Sequence, residues 1–474
     1  MRTIRQRTAN SLLKSALVEE GAYRTVAQAV TWLSSFAAER PQVVREITFE
    51  ELGEWSFAEK TGDLVHKSGQ FFRVTGVRVS TDLGLLTSWD QPIIDQPEIG
   101  ILGIIARDID GVMHLLMQAK MEPGNPSGVQ LTPTVQATRS NYTQVHQGSR
   151  PRYLDYFLNR DRSRVIVDQL QWEHGSAFLK KRNRNVVLEV DDDDLPAEPG
   201  FEWLTLGQVK KLLEVPNLVS MDTRTVIACL PIVDAHRKDW RSEIGPNVVT
   251  SLGAAALDSL GSPEAHSADY EVQSWLTDLK CRHHLTVVPI GLSQVSGWHR
   301  TDRAISHSDA PFFRVIAVDV ESRSREVVHW TQPMIASRPR GLIAFVISQI
   351  DGLLHVLVKA RAEPGSADTL ILGPTVQSAL GFESTRTSGD RSGIVDLVAN
   401  AAADDIRYSN VQSEEGGRFH HVESEYRIVE IADGDRLSLP PEYLWLSLRQ
   451  VHELLQFGLL SVEARSLLAC LSFL

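Results

Sequence analysis

The sequence predicts an α+β protein built as a tandem duplication, and three observations carry that prediction. The first is a self-match: "DGVMHLLMQAKMEPG" (110–124) returns as "DGLLHVLVKARAEPG" (351–365). The second is the reach of the match. A constant shift of 241 residues holds from "FFRVTGVRV" (71–79) against "FFRVIAVDV" (312–320) to "RTVIACL" (224–230) against "RSLLACL" (465–471). Upstream the shift is 243, pairing Trp32 with Trp275 and Trp55 with Trp298. So long a period means duplicated domains, because solenoid arrays repeat every ~20–50 residues. The third is the order of patterns within each copy, strands first and helices after them, which is an α+β arrangement. The expected domains are 1–240 and 268–474. Between them 241–267 is small, polar and Gly/Pro-punctuated, as a linker or surface helix would be.

Each element follows from its pattern. "AQAVTWLSSFAAE" (27–39) is helical in spacing, with Val30, Leu33 and Phe36 near one face. "FFRVTGVRV" and "NVVLEV" (185–190) alternate apolar residues over a strand length. "GILGIIARDIDGVMHLLMQAKMEP" reads as two strands joined at "RDIDG" by a Gly turn. "WLTLGQVKKLL" (203–213) and "MDTRTVIACL" (221–230) close the copy as helices, with Thr205 and Asp222 as candidate N-caps.

Composition excludes several classes. A chain of 474 residues can bury a sizeable core in each of two domains. Hydrophobic content of 42% and charged content of 23% are ordinary for a globular protein. A net charge of −12 argues against general nucleic-acid binding, and the basic run "LKKRNRN" (179–185) is followed at once by "VDDDD" (190–194). No apolar run has membrane length and no apolar signal region follows Arg2, Arg5 and Arg7, so a cytoplasmic protein with no membrane partner is expected. Cys229 and Cys470 occupy equivalent apolar positions and read as core. Cys281 stands alone beside "RHH" (282–284), with no paired ligands for a metal. No metal is expected.

One strand face carries the chemistry. On "VMHLLMQAKME", His114, Gln118, Lys120 and Glu122 share a side, and the second copy keeps His355, Lys359, Arg361 and Glu363. Four polar groups on one face suggest a wet cleft with a cation and a carboxylate at its floor; an exposed face is the plainer alternative. "PTVQ" follows both strands after a Gly-containing loop, where backbone groups can meet a ligand.

The strings "QPEIGILGI" (96–104), "MQAKMEPGNPSGVQLTPTVQATRSNYT" (117–143), "LKKRNRN" and "NLVSMDTRTV" (217–226) resemble the NDP-hexose 2,3-dehydratases of deoxysugar pathways in antibiotic-producing bacteria. The duplication and length fit as well. The resemblance implies two Nudix-like domains, each binding a dTDP-sugar, in a homodimer. It implies a hydro-lyase acting on dTDP-4-keto-6-deoxy-D-glucose, in deoxysugar biosynthesis for natural-product glycosylation. No redox cofactor is needed for that reaction, and no GxGxxG-type loop is present to hold one. The Gly, Arg-Glu and Glu-Glu spacing of a hydrolytic Nudix signature is absent from both copies. A Nudix-type nucleotide-sugar hydrolase and a non-catalytic nucleotide-sugar binding protein stand as alternatives.

The copies differ where they face anions. Gln130, Arg139, Asn141 and Tyr142 become Ile371, Leu380, Phe382 and Glu383. Arg182, Arg184 and Asn185 become Glu423, Glu425 and Tyr426. The first copy is therefore the expected catalyst, with Lys120, Glu122 and Tyr142 as candidate catalytic residues. "RSNYT" (Arg139, Ser140, Asn141, Tyr142, Thr143) and "RNRN" (Arg182, Asn183, Arg184, Asn185) are candidate substrate contacts, with Trp55, Gln130, Thr134 and Gln136. The second pocket would hold Trp298, Arg361, Thr375, Gln377 and "ESEY" (Glu423, Ser424, Glu425, Tyr426), and is expected to be degenerate. Residues kept in both copies serve either nucleotide binding or the shared fold. Arg224 and Arg465, also kept, read equally as a structural bridge or a ligand contact.

Overall fold

A computed structural model describes residues 2–474 except 85, 143–149, 160–162, 192–194, 197, 234–239, 243, 245–247, 309–311, 325–326, 338–339, 379–392, 433 and 435–436. The side chains of 2–6, 141 and 142 are likewise outside the description. Leu380, Phe382 and Glu383 therefore lie outside the described residues, as does Thr143.

Alternating apolar residues make the strands, and every major strand of the first repeat has its counterpart in the second. The first repeat's seven-stranded sheet is mixed: Gly100–Ile109 runs parallel to Arg182–Val190 and antiparallel to Val112–Met121. Gly341–Ile350, Glu423–Ile431 and Leu353–Arg361 repeat that arrangement. The hairpin expected at "RDIDG" is present. Its two turn residues, Asp110 and Gly111, both take positive φ (52° and 79°), the left-handed conformation that a two-residue turn requires. Asp351 and Gly352 repeat it. The helix expected over 27–39 is Val26–Glu39, its start fixed by a reciprocal Thr25–Gln28 capping box.

Each repeat lends a strand to the other. Gln42–Ile47, early in the first repeat, pairs antiparallel with Arg314–Ser322 of the second. Leu285–Ile290, its counterpart, pairs antiparallel with Arg73–Thr81 of the first. The exchange extends to hydrophobic packing. One core cluster joins Phe49, Trp55, Phe72 and Phe178 to Trp298, Phe313 and Phe419, drawing on both repeats. A larger one gathers the helices of both, from Leu12 to Phe473.

One detail differs from expectation, and one open reading takes its structural alternative. The stretch 241–267 carries the helix Ser251–Gly261, which is not a surface element: Ala256, Leu257 and Ser259 are fully buried against the strand Leu353–Arg361. Its small residues permit that close approach, and it matches the packing of helix Arg2–Ala16 on Val112–Met121. Arg224 and Arg465 are fully buried. Arg224 donates to the Ser413 carbonyl (2.8 Å) and Arg465 to the Trp172 carbonyl (2.6 Å), so each ties its closing helix to the opposite repeat.

The shared "EPG" motif has a structural cause. Gly124 N donates to the Gly416 carbonyl (2.7 Å), and Gly365 N to the Gly175 carbonyl (2.6 Å), so each turn docks on the other repeat's loop. A Cβ at Gly124 would overlap the Phe419 carbonyl oxygen, and one at Gly365 the Phe178 carbonyl oxygen. Backbone cannot yield as a side-chain tip can. Gly124→Ala is accordingly expected to destabilise the protein by about 2 kcal/mol or more, read as a lowered thermal midpoint. An unchanged midpoint would contradict this docking.

Candidate active site

A cavity of about 980 Å³ opens between the repeats. Its floor is the end of strand Val112–Met121 and the turn after it. Met113, Leu115, Met117, Ala119 and Met121 point into the core, so alternation turns Lys120 and Glu122 the other way, as the sequence pattern predicts. Lys120 Nζ lies 2.8 Å from Glu122 Oε1 and donates to Gln136 Oε1 at 2.9 Å. Gln136 Nε2 in turn donates to Asp222 Oδ2. The four side chains form one chain from cation to acid. The polar face does not line the cavity along its whole length: His114 is buried and accepts from Ala22 N (3.2 Å).

Asp222 is not the N-cap of its helix. Ser220 holds that position, accepting from Thr223 N, while Asp222 turns into the cavity. Burial, with Glu415 and Glu173 nearby, raises its carboxyl well above the usual range against the pull of Lys120, which favours the protonated form. Burial also raises Glu173, and Asn183 donates to it at 2.9 Å. Lys181 donates to the Glu98 carbonyl, and burial lowers its ammonium to about 8.

The far wall comes from the second repeat: Trp330, Thr331 and Gln332 on one strand, and Glu415 and Arg418 on the loop 414–419. Trp55 spans the seam. Its ring packs on Phe72 and His66, and its Nε1 donates to the Thr331 carbonyl (3.0 Å). Trp298 makes the reciprocal bond to the Asp90 carbonyl (3.0 Å).

Of the expected residues, Trp55, Lys120, Glu122, Gln136 and Asn183 meet in this cavity. Others are corrected. Thr134 joins two strands, accepting from Ile105 N and donating to the Leu116 carbonyl, as Thr375 does with Val346 and Leu357. Gln130 is buried between the repeats, donating to the Asn217 carbonyl and Ser413 Oγ. "RNRN" cannot act as a block, because successive strand residues face opposite ways. Arg182 stacks on Trp172 and Arg184 pairs with Asp168 on one side, while Asn185, on the side of Asn183, is spent on the Thr225 carbonyl. Ser140 bonds Glu98, and Arg139 is exposed at the head of the short helix Arg139–Tyr142, one residue past cavity-lining Thr138.

In the second repeat the equivalent groups are packed together. Glu414 and Glu463, counterparts of Glu173 and Asp222, clamp His174 of the first repeat at 3.0 and 2.8 Å. Tyr426 and Ser424 lean on Glu414, and Gln377 is buried with them. Glu423 accepts from Asn217 and Glu425 pairs with Arg427, so "ESEY" is divided between faces as "RNRN" is. Arg361 and Glu363 stand where Lys120 and Glu122 stand in the first repeat. There Glu363 is buried against Gly175, whose added Cβ would overlap its carboxylate.

The clamp makes a pH prediction. Burial opposes charge on His174, but the two carboxylates outweigh it and raise its pKa well above the usual value; the same contact takes Glu463 down to about 2. The histidine's contribution is full below its unfolded pKa near ~6.5 and fades as pH rises through the raised folded value. The glutamate's is full above ~4.5 and fades as pH falls toward about 2. His174→Gln is expected to cost about 3–5 kcal/mol, with the largest difference from wild type between pH ~4.5 and ~6.5. A stability difference independent of pH would contradict the ionic clamp.

No helix among the described residues is long and apolar enough to cross a membrane. The chain matches the family model described as NDP-hexose 2,3-dehydratase twice, over residues 26–230 and 269–471. It is 46% identical over 444 residues to a dTDP-4-dehydro-6-deoxy-alpha-D-glucopyranose 2,3-dehydratase of Saccharopolyspora spinosa, covering 93% of this chain and 90% of the relative. It is 40% identical to a protein of the same name from Amycolatopsis orientalis (98% and 94% covered). The match to the one from Streptomyces violaceoruber is 42% identical (93% and 95% covered). With both repeats matched and relatives aligned nearly end to end, the chain belongs to the NDP-hexose 2,3-dehydratase family.

Proposed function

We propose that this chain removes water across carbons 2 and 3 of dTDP-4-keto-6-deoxy-D-glucose in the cavity floored by Lys120 and Glu122. The observation that carries the reading is that a cation, a carboxylate and an acid whose pKa is raised by burial lie on one hydrogen-bonded chain beside a space large enough for a nucleotide sugar. The hydrogen on carbon 3 is acidic because the ketone lies next to it. Glu122 takes that proton, and the electron pair moves to the carbonyl oxygen as an enolate, which Lys120 stabilises. The enolate collapses, the carbon 2–oxygen bond breaks, and Asp222 gives the departing hydroxyl its proton as water. The enol then tautomerises to the 3,4-diketo-2,6-dideoxy sugar. Electrons balance without an oxidant or reductant.

Incubation with the keto sugar nucleotide is expected to yield the dehydrated product, detected as loss of one water by mass spectrometry. Release of nucleotide monophosphate instead would favour the hydrolase reading, and binding without turnover the non-catalytic one. Turnover is expected to be unchanged by EDTA, since side chains perform each proton transfer; loss on chelation, restored by magnesium, would contradict this mechanism.

Arg139 follows directly on cavity-lining Thr138, which supports a role for "RSNYT" against the sugar, with Arg139 and Asn141 on substrate oxygens and Tyr142 near the sugar. If Arg139→Ala and Tyr142→Phe both left kcat and KM unchanged, the stretch would be a turn only. The parallel central pair in each mixed sheet, flanked by helices, supports a Nudix-like fold for each repeat. The family resemblance supports a cytoplasmic homodimer serving deoxysugar and antibiotic biosynthesis. Light scattering tests the dimer.

A further inference from the structure

The two loops that cross between repeats match in backbone but not in side chains. "EHGSAF" (173–178) of the first repeat docks on the turn at Gly365, and "EEGGRF" (414–419) of the second docks on the turn at Gly124. Each docking is closed by a second bond, Lys180 N to the Gly365 carbonyl (2.7 Å) and His421 N to the Gly124 carbonyl (2.9 Å). The backbone therefore delivers four equivalent positions across the seam. Into the first repeat's cavity it brings Glu415 and Arg418; toward the second repeat it brings His174 and Ala177.

Arg418 has no cationic counterpart, and it shares the cavity wall with the buried Glu415, whose carboxyl burial raises and Arg418 draws back down. The guanidinium lies over the Phe72 ring, 4.2 Å from its centre, with one N–H given to the Gly417 carbonyl (2.8 Å). Burial most opposes the charge of the Lys181 ammonium in the same cavity; Glu173, Glu98 and Glu415 support that charge and Arg418 opposes it. Lys120 is engaged with Glu122 and Gln136 at the floor, while Lys181, which donates to the Glu98 carbonyl, and Arg418 bring two further cations to the cavity wall, one from each repeat. A nucleotide diphosphate sugar carries two negative charges on its bridge. A planar guanidinium presents a fixed fork of N–H donors that matches two of its oxygens, where an ammonium acts as a point charge.

We propose that Arg418 of the second repeat, with Lys181 of the first, holds the diphosphate of the nucleotide sugar bound in the first repeat's cavity. The second repeat is then a working half of one active site and not a spare copy. This rests on the functional reading above, and the experiment separates the two. Calorimetry measures dTDP and thymidine binding to wild type, Arg418→Ala and Arg418→Lys. Wild type is expected to bind dTDP more tightly than thymidine. Arg418→Ala should weaken dTDP about 10–100-fold and leave thymidine within about twofold, the size of one lost charge-assisted contact. Arg418→Lys, which keeps charge and stem, covers the case of a misfolded alanine variant and should weaken dTDP several-fold. Unchanged dTDP affinity in either folded variant overturns the assignment of Arg418 while leaving the dehydratase reading intact. A wild-type protein that binds no dTDP overturns both.

Discussion

Lys120→Ala and Glu122→Gln are each expected to lower dehydration by about 10³-fold or more, whereas Arg361→Ala and Glu363→Gln should retain most of it. A positioned base contributes about 10²–10⁴-fold, and a group that stabilises a developing oxyanion about 10²–10³-fold. Removing either member also unbalances the other, because Lys120 and Glu122 are mostly buried and only 2.8 Å apart. The second-repeat pair is differently placed. Burial and Glu463 push Glu363 up to about 7, against the pull of Arg361, and the loop carrying Gly175 and His174 sits on it. Glutamine mimics a carboxyl that is largely protonated near pH 6, so Glu363→Gln should cost some stability and little turnover. Steady-state assays of the four variants, with a thermal midpoint for each, decide the matter. Silencing by the second-repeat changes alone would place the chemistry in the other repeat.

Asp222→Asn is expected to reduce kcat by about 10²-fold or more while leaving KM nearly unchanged. Asparagine can still accept from Gln136 through its carbonyl, so the chain to Lys120 survives and only the transferable proton is lost. The same group sets a direction for pH. Burial and the neighbouring Glu415 and Glu173 keep Asp222 protonated above the normal carboxylate range, so turnover should fall as pH rises through that raised value. In Asp222→Asn the fall should be absent. A variant with wild-type kcat would show that another group protonates the leaving hydroxyl.

Much of the fold was legible because it obeys short periods. The Asp-Gly turns, the alternation that sets Lys120 and Glu122 apart from Met121, and the Thr205 cap all follow from local rules. The duplication was legible because both copies kept "EPG", and the docking of Gly124 and Gly365 explains why they did. The site was half legible. Alternation governs "RNRN" as it governs the strand holding Lys120, and there it separates Asn183 from Arg182 and Arg184. Lys181, one residue upstream, was missed although it lies in the same basic run. Glu173 and Asp222 had a signal in the acidic residues kept at Glu414 and Glu463, but Asp222 next to Ser220 resembled a cap. Glu415 and Arg418 could not be placed from spacing at all. They reach the cavity only because the repeats exchange strands and loops, a long-range pairing that no local pattern encodes.

A crystal structure of the protein soaked with dTDP tests the account most directly. Nucleotide is expected in the cavity between the repeats, its diphosphate beside Lys181 and Arg418 and its terminal phosphate directed toward Lys120 and Glu122. Nucleotide bound elsewhere, with that cavity empty, would contradict it.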